Sequence, residues 1–296
     1  MNHILSVEQF TPDFLEHLFS KADHFSQQRI LPASLAGKVI TNLFYEPSTR
    51  TSSSFYSAGV RLGAHVIPIN EVNYSSVAKG ESFEDTIKTM SCYSDLIVLR
   101  HPEAGAARRA AEVSPVPIIN AGDGENEHPT QALLDLYTIR KEQYRLSNLT
   151  VGMMGDLTRG RTVHSLSKLL RNYSIDQIFI APKKFQMPKE LIHQGDATAD
   201  APLKTILESL DILYVTRLQK ERILGGENLL DYNYGITKET LKNLKSTCAI
   251  MHPFPRVGEI AEDIDRDPRA AYFRQMENGL WIRAALLDYI FSLGNK

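Results

Sequence analysis

An apolar run from Lys38 to Tyr45 (KVITNLFY) ends in Glu46-Pro47-Ser48-Thr49-Arg50-Thr51 and leads into residues of helical periodicity. Hydroxyls, backbone N–H groups and a guanidinium therefore gather at one helix N-terminus, where unsatisfied amides and the helix macrodipole favour an anion. Capping accounts for one hydroxyl of this group. It does not account for Arg50, a cation at the positive end of a helix, which is unfavourable until an anion binds. The residue types and their spacing point to phosphate.

Further groups of this kind follow other apolar runs. Arg100 closes DLIVLR, placing a second guanidinium at a strand end. The loop Gly122 to Glu127 (GDGENE) delivers His128 immediately before Pro129, with Gln131 one turn inside the next helix. A histidine at a helix N-terminus tends to the neutral imidazole and can donate a hydrogen bond to a carbonyl oxygen. Arg159 and Arg161 follow VGMMGD, and Arg217 with Gln219 follows DILYVT. Several guanidiniums around one site repel one another unless the ligand carries comparable negative charge, so a multiply anionic substrate pair is implied. After TCAIMH comes His252-Pro253-Phe254-Pro255-Arg256, where two prolines force an extended turn able to hold a cis bond and to aim backbone carbonyls at an amine.

Other chemistries find no support. GMMGD lacks the third glycine and the later acidic residue of a dinucleotide fingerprint, and no GxxxxGKT, HExxH, GxSxG or kinase set is present. Neither a metal site nor a cofactor is expected. The 296 residues carry 33 Lys+Arg against 35 Asp+Glu, a formal net charge of −2 that offers no broad basic field for nucleic acid or a membrane surface. Cys92 and Cys248 lie far apart and outside any Cys/His cluster, the default for free thiols in a reducing compartment. The first residues lack a secretory pattern and no window approaches 18 apolar residues, so a cytoplasmic protein is expected.

The elements that must position these groups alternate. KVITNLFY, AHVIPI, DLIVLR and PVPIIN read as buried strands, with helical spacing over Ser52 to Leu62 and Phe83 to Tyr93 between them. A strong helix begins at Pro129, and the alternation restarts with LTVGMMGD, a helix through Val163, Leu166 and Leu170, then DQIFIA, DILYVT and TCAIMH. This predicts an α/β protein of two doubly wound parallel-sheet domains with an interdomain cleft, ligands lying at the carboxyl ends of the strands. The expected domains are 1–135 and 150–280, with a C-terminal helix at 280–296 packing back onto the first.

In this order, FYEPSTRTSSSF, SSVAKGES, VLRHP, GDGENEHPTQALLD, GDLTRGRTVHSL, DILYVTRLQKER and MHPFPR resemble the motifs of the transcarbamoylase family over nearly the whole chain. The resemblance implies transfer of a carbamoyl group from carbamoyl phosphate to an amine. HPFP and the TRLQ stretch resemble the branch using L-aspartate in the second step of de novo pyrimidine synthesis, rather than the ornithine branch with its HCLP loop. Transfer to ornithine or another amine, and a non-catalytic anion-binding subunit of the same fold, stand as alternatives.

By resemblance, Ser48, Thr49, Arg50 and Thr51 hold the phosphate, and Arg100, His128 and Gln131 hold the carbamoyl group. Lys79 and Ser75, or its neighbour Ser76, reach the site of an adjacent subunit in a homotrimer with shared active sites. Arg161 and Arg217 grip the carboxylates of aspartate with Gln219 in support, a task suited to bidentate guanidinium geometry. Phe254, where the family usually carries Leu, and Pro255 offer backbone carbonyls to the amines. Glu46 and Arg222 are expected to pair across the closed cleft. Whether a regulatory chain or another pathway enzyme also binds is left open.

Overall fold

The computed structural model describes residues 3–28, 30–70, 80–217 and 235–293. Two compact units divide the chain: Met1–Tyr137 with Glu277–Lys296, and Thr138–Met276.

In the first unit, β1 (Val39–Phe44), β2 (His65–Asn70), β3 (Leu96–His101) and β4 (Ile118–Asp123) form a parallel sheet in the order β2-β1-β3-β4. The inner strands β1 and β3 are buried on both faces, as near-continuous apolar runs require. The edge strand β2 is more open and tolerates Pro68, which cannot donate to a ladder. Leu43, Ile97, Leu99 and Ile118 from the sheet pack against Ile87 and Ala110. The latter two lie on α3 (Phe83–Tyr93) and α4 (Ala106–Val113), which accompany α1 (Pro12–Gln27), α2 (Thr49–Arg61) and the start of α5 (Pro129–Gln143), a helix that runs on into the second unit.

Two differences from the periodicity reading bear on function. Helix α2 starts at Thr49 and not at Ser52, because the chain turns directly from Ser48 into helical geometry, so Thr49, Arg50 and Thr51 form its first turn. Helix α1 is an addition. Its start is encoded by Thr11, whose hydroxyl accepts from Phe14 N at 3.3 Å, and by Pro12 at the first helical position.

The second unit is a parallel sheet of β5 (Leu149–Met154), β6 (Ile175–Ile180), β7 (Ala197–Ala199), β8 (Ile212–Val215) and β9 (Ala249–Met251) in the order β7-β6-β5-β8-β9. It carries α6 (Arg161–Leu170), α7 (Lys204–Leu207) and α8 (Lys238–Leu241). The core joins Met154, Ile180, Leu213, Val215 and Ile250 to Leu241, Ile260 and Tyr272. Asp211 aligns the strand starts, accepting from Thr150 N at 2.9 Å and from Lys245 Nζ at 2.8 Å.

The last helix, α9 (Tyr272–Leu293), begins in the second unit and ends in the first. There Tyr289 meets Phe14 edge-on with centroids 5.0 Å apart, Asp288 pairs with Lys21, and buried Arg283 donates to Ser54 Oγ at 2.6 Å. Burial pushes the Arg283 guanidinium down to about 10, with Asp135 opposing that shift.

Acid sensitivity is built into the second unit. Arg269 grips Asp267 through two bonds of 2.9 Å and donates to Leu241 O at 2.7 Å, and Arg256 pairs with Asp265. Hydrogen bonds from these arginines hold both carboxyl pKa values below the usual aspartate value. The unfolded chain therefore binds more protons in acid. This contribution is complete above the unfolded aspartate pKa of about 4 and is lost as pH falls through the lower folded values. Urea titrations from neutral pH to about pH 3 should show the midpoint falling in acid. Asp267→Asn should be less stable than the parent at neutral pH and show a shallower acid dependence.

Candidate active site

Parallel register sets the carboxyl ends of β1, β3 and β4 side by side: Phe44 lies opposite Arg100, and His101 opposite Asp123. The chain leaves β1 through Glu46 and Pro47 and enters α2 at Ser48. Ser48 occupies the N-cap position, yet its hydroxyl makes no capping bond, and no acidic residue lies in the first turn. The turn is held from behind instead. Asn42 Nδ2 on β1 donates to Ser52 O at 3.1 Å, and Ser52 Oγ donates to Asn70 Oδ1 on β2 at 2.9 Å. Thr51 is buried, whereas Thr49 and Arg50 reach solvent. Partial desolvation lowers the Arg50 guanidinium's pKa, an unfavourable state that a bound anion relieves.

Arg100, at the end of β3, donates to Glu46 Oε2 at 3.2 Å and to Ala121 O at 3.4 Å. Glu46 thus pairs with an arginine of its own unit; Arg222, its expected partner, lies outside the described residues. His128 follows the β4 loop as the residue before α5, its carbonyl accepting from Ala132 N at 3.1 Å and its side chain buried. Gln131 Nε2 donates to Asp135 Oδ1 at 2.9 Å. That bond orients the amide so that its carbonyl oxygen is the group on offer, an acceptor suited to an N–H of a ligand. The first unit therefore brings together Ser48, Thr49, Arg50, Thr51, Arg100, His128 and Gln131 at the ends of adjacent strands.

The second unit repeats the device. Arg161 is the first residue of α6 after β5, and Arg217 lies two residues beyond β8. β5 and β8 are neighbours, with Met154 opposite Val215, so both arginines issue from one sheet end. His164 Nε2 donates to Leu157 O at 2.7 Å and so fixes the loop that delivers Arg161. Burial lowers the His164 pKa against the opposing backbone bond, which keeps the ring neutral near pH 7.

The adjacent β9 leads into His252–Arg256, where the Phe254–Pro255 bond is cis and Phe254 has φ of 56°. His252 braces this turn. Its Nδ1 accepts from Phe254 N at 2.8 Å, so the proton lies on Nε2, which donates to Glu259 at 2.7 Å. Burial raises the Glu259 pKa, but bonds from His252 and from the backbone of Glu259 and Val257 outweigh it, and the net shift is downward. Of the anticipated residues, Ser75, Ser76, Lys79 and Gln219 lie outside the described residues. Among the described residues no His/Cys/Asp/Glu group could hold a metal ion, and no helix is long and apolar enough to cross a membrane.

The fold is that of a two-unit α/β protein, each unit carrying arginines at the carboxyl end of its own parallel sheet. Residues 2–141 match the aspartate/ornithine carbamoyltransferase carbamoyl-P binding domain, and residues 147–290 match the Asp/Orn binding domain. The chain belongs to the aspartate/ornithine carbamoyltransferase family.

It is 46% identical to the aspartate carbamoyltransferase catalytic subunit of Thermococcus kodakarensis, over 96% of this chain and 95% of that protein. It is 48% identical to multifunctional protein CAD of Squalus acanthias over 96% of this chain. The chain spans 13% to 16% of the length of the multifunctional relatives it matches. Aspartate transcarbamoylase from Trypanosoma cruzi, in complex with carbamoyl phosphate and aspartate, superposes with a TM-score of 0.92 at 39% identity, covering 97% of this chain and 96% of that one.

The spacing of Arg161 and Arg217 depends on Gly155, which has φ of +127° and whose absent Cβ would lie 2.3 Å from Thr216 O. Gly155→Ala would force apart strand ends joined by the 2.7 Å bond from Thr216 N to Met154 O. A positive φ and a backbone clash together should cost about 2 kcal/mol or more. Thermal unfolding should show a midpoint lower by roughly 4 °C or more.

Proposed function

We propose that this chain transfers the carbamoyl group of carbamoyl phosphate to the amine of L-aspartate, giving N-carbamoyl-L-aspartate and phosphate, the second step of de novo pyrimidine biosynthesis. The observation that carries the reading is the gathering of an uncapped, Arg50-bearing helix N-terminus with Arg100, His128 and Gln131 at adjacent strand ends of one sheet. The first unit then takes carbamoyl phosphate and the second takes aspartate. The solved T. cruzi relative bound to both ligands supports this assignment.

The chemistry needs no nucleophile from the protein. The uncharged amine attacks the carbamoyl carbon, the carbonyl oxygen gains charge in the tetrahedral intermediate, and the C–O bond to phosphate breaks as the amine's proton passes to the departing phosphate. Donors aimed at the developing charge stabilise this path more than they stabilise bound substrate. Thr51, Arg100 and His128 serve the carbonyl oxygen. Ser48, Thr49 and Arg50, joined by Ser75 and Lys79, serve the phosphate. The Gln131 carbonyl takes an N–H of the carbamoyl amide, and the carbonyls of Phe254 and Pro255 receive N–H groups of the substrates. Arg161 and Arg217, supported by Gln219, hold the two carboxylates. Removing one charge-stabilising donor typically costs about 3 kcal/mol of barrier, roughly a hundredfold in rate.

The proposed protein is a cytoplasmic homotrimer in which Ser75 and Lys79 of one subunit complete the site of the next. Two free cysteines, Cys92 exposed and Cys248 buried, fit a reducing compartment. Burial pushes the Cys248 thiol up to about 12, leaving it unreactive. The multifunctional relatives support other pathway enzymes as partners, and a regulatory chain is a further candidate.

The decisive assay measures phosphate release from carbamoyl phosphate with L-aspartate or L-ornithine as acceptor. Release with aspartate is expected, and release with ornithine alone would reverse the acceptor assignment. In Arg217→Ala, loss of a charge-assisted carboxylate contact should raise the aspartate KM roughly 10- to 100-fold. The carbamoyl phosphate KM should stay within about threefold, because Arg217 belongs to the unit without α2. Equal loss for both substrates would contradict this division of labour.

Site sharing predicts complementation. Arg50→Ala and Lys79→Ala chains should each be nearly inactive alone, yet dissociating, mixing and reassembling them should restore complete sites at some subunit boundaries. Hybrids confirmed by native mass measurement that stay as inactive as their parents would place Lys79 in its own subunit's site.

A further inference from the structure

Asp123, the last residue of β4, is 2% exposed, and its carboxylate is satisfied by uncharged donors. Oδ2 accepts from Gly105 N at 2.9 Å, and Oδ1 accepts from Asn120 Nδ2 at 2.9 Å and Glu127 N at 3.3 Å. Asn126 Nδ2 reaches both oxygens, at 3.1 and 3.3 Å. These donors come from two directions. Gly105 ends the loop that follows Arg100 and begins α4, while Asn126 and Glu127 immediately precede His128.

The surrounding backbone joins the same two loops. Gly124 N donates to His101 O at 2.9 Å, and a Cβ on Gly124 would lie 2.7 Å from Ala104 N and 2.9 Å from Pro102 O. On the far side, the Glu127 carboxylate accepts from Val7 N at 2.8 Å and Ser6 Oγ at 3.1 Å. Burying a carboxylate is costly, and neutral donors offset that cost only when several converge with good geometry. Here the convergence sits between the strand end bearing Arg100 and the residue bearing His128.

We propose that Asp123 is a positioning residue that sets the Arg100–His128 spacing by joining the β3 and β4 loops through one buried carboxylate. The proposal rests on the reading of Arg100 and His128 as the groups that hold the carbamoyl oxygen. The phosphate half has a brace of its own, since the first turn of α2 is held through Asn42, Ser52 and Asn70, and it meets Arg100 through Glu46. Loosening the Asp123 junction therefore degrades recognition of the carbamoyl end and leaves recognition of phosphate intact.

The test uses the purified full chain with two probes in calorimetry: inorganic phosphate, and phosphonoacetamide, which carries both a phosphonate and a carbamoyl-like amide. Asp123→Asn substitutes an amide that presents N–H to donors on one side of the junction. It should weaken phosphonoacetamide about tenfold or more, leave phosphate within about twofold, and lower kcat about tenfold or more. Equal weakening of both probes, or of neither, means a merely structural role and overturns the proposal. If Asp123→Asn fails to fold, Asn126→Ala removes an exposed side chain's two contacts and should still weaken phosphonoacetamide selectively, by about threefold; no selective loss there overturns the proposal equally. His128→Ala is the separate arm. Without selective loss in that variant, the assignment of His128 itself fails. Selective loss in His128→Ala with none in Asp123→Asn overturns only the coupling.

Discussion

Parallel pairing is the constraint on which the rest of this structure depends. When every strand of a sheet runs the same way, every strand end of one polarity lies along one edge, and each following helix starts there with its amides and positive dipole end outward. In the first unit that edge collects residues from positions 48 to 51, 100, 128 and 131, segments far apart in the chain, with the β3–β4 register shifting between Leu99 and His101. The second unit does the same for Arg161 and Arg217 across the β5–β8 pairing. The chemistry is concentrated by topology, and the loops need only supply residue types.

That concentration carries an electrostatic cost, visible in how the helices begin. The helices α1, α3 and α8 are capped by the hydroxyls of Thr11, Ser82 and Thr237. At α2 and α6, whose first turns carry Arg50 and Arg161, the cap residues Ser48 and Gly160 make no side-chain cap bond. An N-terminus without a side-chain cap keeps affinity for an anion that a cap would have used up. Arg50 lies partly desolvated at one of them, and Glu46 on Arg100 offsets a second guanidinium at the neighbouring strand end. At α4 the amide of Gly105 is taken up by Asp123, so that helix start is tied into the framework.

Rigidity is supplied from behind the site. Asn42 and Ser52 fix the first turn of α2, Asp135 fixes the Gln131 amide, His164 fixes the loop into α6, and His252 with Glu259 fixes the turn at Phe254. Each of these groups is buried or half-buried, where its hydrogen bond faces little competition from water.

Much of this architecture was legible in the residues alone, because its signals are local. Apolar runs such as KVITNLFY and DLIVLR mark strands, Pro129 marks a helix start, and hydroxyls beside Arg50 mark an anion site within a few residues of chain. Partner choice is not local. That Glu46 would pair with Arg100, that Asp123 would join the loops of β3 and β4, and that Arg283 would reach Ser54 depends on which strands become neighbours, and spatial order is not chain order. The first turn of α2 shows the same boundary: its residue types were readable, but its helical geometry from Thr49 onward comes with the tether from Asn42 on β1. Short-range stereochemistry acts between residues adjacent in sequence, so sequence alone determined the elements and the kinds of groups at their ends. Hydrogen bonds between buried side chains act between residues adjacent only in space, so the tertiary structure decided which groups hold which.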